Sequence, residues 1–175
     1  MRVPFPARPL ALALALFPLT LPAQTAQLQL QGGRSYMDGH AATALFLEAI
    51  FDGHQIGDSR WSIAPDVSLG WIDGRDLARF RDSRYPTQPE AWLLAAGARL
   101  QRRAADGGPG HWLASFQPAL NSARTQALSS PYEFITTVGW QGRRFSFQIR
   151  HISNASLHKP NRGETMALVG VGFDL

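Results

Sequence analysis

The chain has 175 residues, no cysteine, and 17 Lys and Arg against 13 Asp and Glu, a formal net charge of +4. Without cysteine, an exported chain of this kind is not a small disulfide-stapled fold. The basic balance suits an anionic partner, and the export-type segment that opens the chain favours lipid head groups over nucleic acid.

That segment is the first element in chain order. Arg2 and Arg8 give a positive start, residues 10–21 are an apolar run, and Pro22-Ala23-Gln24-Thr25-Ala26 is a small-residue exit. The order is that of a secretory signal, and the run is too short for a transmembrane helix. Residues 1–26 therefore read as a signal peptide with cleavage near 23–26, and residues 27–175 as one domain. No later stretch is an apolar run of about 18 residues, so no helix is expected to span a membrane.

The remainder reads as strands and turns. Eight strands are expected, over 27–35, 43–52, 61–72, 90–102, 111–118, 131–140, 143–153 and 165–175. Met37-Asp38-Gly39, Asp52-Gly53, Asp73-Gly74, the 107–110 glycine cluster and Gln141-Gly142 supply the turn chemistry between them. Alternation is plain in the third strand: Trp61, Ile63, Val67, Leu69 and Trp71 share one face, with Ser62, Asp66, Ser68 and Gly70 on the other. All five tryptophans fall at or near strand ends, where interfacial aromatics belong. An even number of strands with one apolar and one small or polar face predicts an all-β fold, an eight-stranded antiparallel transmembrane β-barrel of the outer membrane. Parity sends Glu48, Asp66 and Arg99 to the interior. A soluble barrel or sandwich with the apolar face inward is the competing fold.

The seventh strand carries the candidate chemistry. In Phe145-Ser146-Phe147-Gln148-Ile149-Arg150-His151-Ile152-Ser153, the side chains of Phe145, Phe147, Ile149, His151 and Ser153 share a face. In a membrane barrel that face is the outer wall, so a potential base and a potential nucleophile look out toward lipid. Short turns at the periplasmic end place both termini there, and 154–164 becomes an outer loop just above the pair. A Ser needs a neighbouring base, and a His needs an acceptor to hold its tautomer. Polar groups turned toward hydrocarbon are costly and tend to be functional. Asn154 is a potential oxyanion donor. Glu164 opens the next antiparallel strand beside His151 and is a potential orienter of the imidazole. His40, His54 and His111 read as solvated; His158, in the outer loop, is a candidate for a phosphate contact. No metal-ligand cluster, phosphate loop or redox motif is present in the sequence, and no cofactor is expected.

His151-Ile152-Ser153-Asn154-Ala155-Ser156, followed by Lys159-Pro160-Asn161-Arg162-Gly163-Glu164, resembles the C-terminal motif of the lipid A 3-O-deacylases (PagL-type), small outer-membrane barrel enzymes. The resemblance implies His151 as general base, Ser153 as nucleophile, Asn154 as an oxyanion contributor, and Asn161 and Gly163 as shapers of the site. It implies lipid A, the anchor of lipopolysaccharide, as substrate. A homodimer is a further candidate partner. The sequence departs from the family pattern at the acid: Glu164 stands one position early and Thr165 holds its slot. A slip of one residue along a strand reverses the direction of the side chain. Two other functions remain to be weighed, an outer-leaflet lipid acyltransferase and a structural or adhesive barrel.

Overall fold

The computed structural model describes residues 26–37, 39–74, 88–108, 110–159 and 162–175. The expected signal segment up to residue 25 and the site candidate Asn161 lie outside the described residues.

The strands are β1 Ala26–Met37, β2 His40–Phe51, β3 His54–Gln55, β4 Trp61–Asp73, β5 Glu90–Arg103, β6 His111–Asn121, β7 Tyr132–Gln141, β8 Phe145–Ser153 and β9 Glu164–Asp174. All neighbours are antiparallel, and pairing of β2 with β4 closes the sheet into an eight-stranded barrel. β3 is a two-residue continuation of β2. From Ile50 to His54 is four residues, whereas their partners Asp66 and Ile63 are three apart. The extra residue is a bulge, which lets the ribbon bend as it leaves the barrel.

Each expected strand is present. β6 runs further than expected, because Pro118 does not end it. Proline has no amide hydrogen and costs a ladder bond. The cost falls on one side only: β5–β6 pairing is interrupted between Ala95↔Ala119 and Ala98↔Phe116, while Pro118 still pairs with Phe134 of β7.

Strand parity sorts the side chains. Leu30, Leu47, Leu69, Leu94, Phe116 and Val169 are among the large apolar residues exposed on the outer wall. The start of β1 and the residue after β9 meet at one rim, where Leu175 N–H donates to Ala26 O at 2.9 Å. Near that rim Trp61, Arg102, Trp112 and Trp140 form a cross-strand row, with Arg102 5.6 Å from the Trp61 ring centre. Trp71 and Trp92 pair near the opposite, loop-bearing rim. Aromatic rows near both ends of an apolar wall are the mark of a barrel that sits in a bilayer.

The interior is filled in two layers. Below the loops lies an apolar layer that includes Phe46, Leu93, Leu128, Ile135, Ile152 and Leu168. Toward the termini lies a buried ionic network. Glu48 accepts Arg99 at 2.7 Å and Arg150 at 3.4 Å, and Arg99 reaches Asp66 at 3.5 Å. A ladder of Gln27, Gln29 and Gln31 along β1 joins it through the bond from Gln31 to Glu48. Two carboxylates and two guanidiniums balance, which is the condition for burying charges at all.

Candidate active site on the outer wall

β8 carries the site because its sequence alternates without a break. Phe145, Phe147, Ile149 and His151 face out; Ser146, Gln148, Arg150 and Ile152 face in. Ser153 follows on the outer side, half-buried, and Asn154 turns inward and is fully buried. The inward residues anchor the outward ones. Arg150 Nε donates to Thr137 Oγ1 at 3.1 Å, and its guanidinium lies 4.3 Å from the Phe46 ring centre. Asn154 Nδ2 donates to Ser129 Oγ at 2.9 Å and to the His158 carbonyl at 3.1 Å.

His151 Nδ1 lies 2.8 Å from Thr165 Oγ1, its cross-strand neighbour on β9. Glu164, expected to take that role, is paired with Ile152 and shares its inward face, only 1% exposed. Strand parity is the reason: the residue before Thr165 points to the side that His151 does not occupy. The loop does not absorb the shift, and the hydroxyl, not the carboxyl, stands beside the imidazole. Asn154 departs from expectation in a similar way. Its side-chain amide is spent on Ser129 and His158 inside the loop rim and does not reach the outer wall.

Gly163, expected as a shaper of the site, lies against His151. It directly precedes β9, whose pairing with β8 ends at Ile152↔Glu164. Its φ of +68° is one that glycine adopts at no steric cost. A Cβ there would lie 2.9 Å from Ile152 O, 3.1 Å from His151 Cε1 and 3.4 Å from His151 Nε2. The missing side chain thus leaves space beside the Cε1–Nε2 edge of the imidazole. His151 and Ser153 make no hydrogen bond to one another; such contacts are often loose without substrate.

Ser153 is followed by a tight turn in which Leu157 N–H donates to Asn154 O at 3.0 Å. Its central residues, Ala155 and Ser156, have φ of +53° and +64° without being glycine. Each such residue costs on the order of 1–3 kcal/mol and persists only where its surroundings impose it. The Ala155 N–H makes no hydrogen bond among the described residues.

Two surroundings complete the site. On one side Phe134 is the cross-strand neighbour of Ser153. Beyond it an apolar groove crosses the wall, lined by Val67, Leu94, Ala96, Pro118, Leu120, Tyr132 and Phe134. Ala96 and Pro118 are small, exposed residues of its lining. Above the site, Tyr132 Oη lies 3.0 Å from His158 Nδ1, with the rings edge to face, beside the exposed Lys159. The loop at 122–131, which turns inward against the site, carried no readable signal: its Ser, Thr and Ala residues have no periodicity. The left-handed turn was equally invisible, since Ala155 and Ser156 are not the residue types that announce one.

A family model described as lipid A 3-O-deacylase (PagL) matches residues 57–174. The chain belongs to the lipid A 3-O-deacylase (PagL) family. It is accordingly an ester hydrolase of the outer membrane, and the resemblance read from the 151–164 motif holds. Among solved structures it is similar to the crystal structure of the outer membrane enzyme PagL, with a TM-score of 0.63 and 17% identity over 84% of this chain and 98% of that one. It is also similar to a de novo designed transmembrane β-barrel, with a TM-score of 0.51 and 10% identity over 86% of this chain and 95% of that one. Likeness to a designed barrel speaks for architecture only, so the family assignment rests on the sequence match. No curated protein matches the chain.

Proposed function

We propose that this deacylase cleaves the 3-position acyl ester of lipid A with Ser153 as nucleophile and His151 as general base, and with Thr165 rather than Glu164 orienting the imidazole. The observation that carries the reading is the 2.8 Å contact between His151 Nδ1 and Thr165 Oγ1. With Nδ1–H donated to that hydroxyl, the lone pair sits on Nε2, the ring edge left open by Gly163. His151 Nε2 takes the Ser153 proton as Oγ bonds to the ester carbonyl carbon. The oxyanion that forms is stabilised by the Ala155 N–H. Collapse breaks the bond to the sugar 3-oxygen, which leaves as a hydroxyl with the proton from His151. Water, deprotonated by His151, then attacks the acyl-enzyme; fatty acid leaves and Ser153 regains its proton. In this scheme the departing chain lies in the groove beyond Phe134, and the phosphorylated sugar stays at the level of His158 and Lys159.

Lipid A mass spectra from cells producing the wild type, compared with cells producing Ser153→Ala, test the scheme. Loss of one 3-position acyl chain with the wild type alone is expected. An equal loss with Ser153→Ala would remove Ser153 as nucleophile.

A further inference from the structure

The loop between β6 and β7, residues 122–131, is unusual for a loop at a barrel rim. Residues 125–130 are all buried, and Leu128 is part of the apolar layer that fills the barrel mouth. The loop holds its own shape: Thr125 Oγ1 accepts from Ala127 N–H at 3.3 Å and from Leu128 N–H at 3.0 Å. Its far end is fixed to β7, where Glu133 Oε1 accepts from both Ser130 N–H and Ser130 Oγ at 3.2 Å. From this frame bonds cross, among the described residues, to the segment that contains the site. Gly163 N–H donates to Ala127 O at 3.2 Å, Arg162 Nη1 donates to Gln126 O at 3.0 Å, and Asn154 Nδ2 donates to Ser129 Oγ at 2.9 Å.

The third bond falls on the residue that starts the strained turn. Asn154 is next to Ser153 and supplies the carbonyl that closes the turn on Leu157. Its side chain also binds the His158 carbonyl, beyond the far side of that turn. Ala155 and Ser156 hold positive φ values that their side chains disfavour, so the turn needs a brace, and the brace is Asn154 fixed to Ser129. We infer that Ser129 is a positioning residue of the reaction, acting through Asn154 to hold the left-handed turn that aims the Ala155 N–H at the reacting carbonyl. The inference rests on the reading of Ser153 as the nucleophile. It also gives the buried loop a task that filling the barrel mouth alone does not require.

The test uses the full-length protein refolded in detergent. Three readouts are taken on wild type, Ser129→Ala and Ser129→Thr: kcat and KM on lipopolysaccharide, the rate at which a fluorophosphonate labels Ser153, and the temperature at which the barrel loses its compact gel mobility. Ser129→Ala should lower kcat and the labelling rate together, by roughly 10–100-fold, the scale of a misaligned reacting group. KM and the gel transition should stay where they are. Ser129→Thr, which keeps the accepting hydroxyl, should recover most of the rate. Should Ser129→Ala fail to fold, Ser129→Cys is measured in its place, since it keeps the volume and weakens the acceptor. Unchanged kcat and labelling in the variant would overturn the inference, as would a rate that falls only in step with the gel transition. If the wild type leaves lipopolysaccharide intact while labelling still depends on Ser129, the substrate reading fails and the positioning role stands. If Ser153 does not label even in the wild type, both fall.

Discussion

Two outward side chains on one strand carry the reaction proposed here, and each should be indispensable to it. Ser153→Ala and His151→Asn should each reduce deacylation by several orders of magnitude, as loss of a nucleophile or base does elsewhere. Both residues face away from the packed interior, so a gel-shift assay of folding should not move. The orienting residue permits a sharper comparison. Thr165 touches His151 Nδ1 and Glu164 faces the opposite way. Thr165→Ala should therefore cost roughly 10²-fold in kcat, the scale of a misplaced catalytic group, whereas Glu164→Gln should cost far less. A hydroxyl fixes the tautomer but carries no charge to offset the imidazolium that forms. Thr165→Glu, folded and assayed in the same way, is expected to be faster than Thr165→Ala; a slower variant would speak against the orienting role.

At the level of strands, the groove beyond Phe134 exists because β5 and β6 bring small residues to the wall where Pro118 interrupts their ladder. Ala96→Phe would fill part of the groove. The expected result is a fall in turnover of long acyl esters with short ones little affected, read from rates on a chain-length series of ester substrates. A uniform change at all lengths would place the chain elsewhere on the wall. The strands themselves were legible in the sequence, because a lipid-facing wall imposes period 2 and turns carry Gly and Asp. His151 and Ser153 were legible for the same reason, as polar residues on an apolar face. The direction of Glu164 followed from parity once the start of β9 was known, and only pairing with β8 fixes that start. The extension of β6 past Pro118 and the inward turn of 122–131 depend on contacts between segments far apart in the chain, which no local pattern records.

For the molecule as a whole, Glu48 is the joint of the interior, accepting Arg99, Arg150 and Gln31. Glu48→Ala would leave two buried guanidiniums short of a partner, a loss on the order of 3–5 kcal/mol. The temperature of barrel unfolding on a gel should fall, while the rate at a temperature where the barrel stays folded should be nearly kept, because the network does not touch His151 or Ser153. The same packed interior decides how the protein behaves as a membrane component. Among the described residues an ionic lattice fills one level of the interior and an apolar layer the other, so a planar bilayer holding the purified protein should show no conductance steps. In the proposed reaction, water arrives from the head-group layer and the freed fatty acid leaves sideways into the leaflet. Remodelling of the outer coat by the proposed reaction would then proceed without opening a leak in the permeability barrier that holds the barrel.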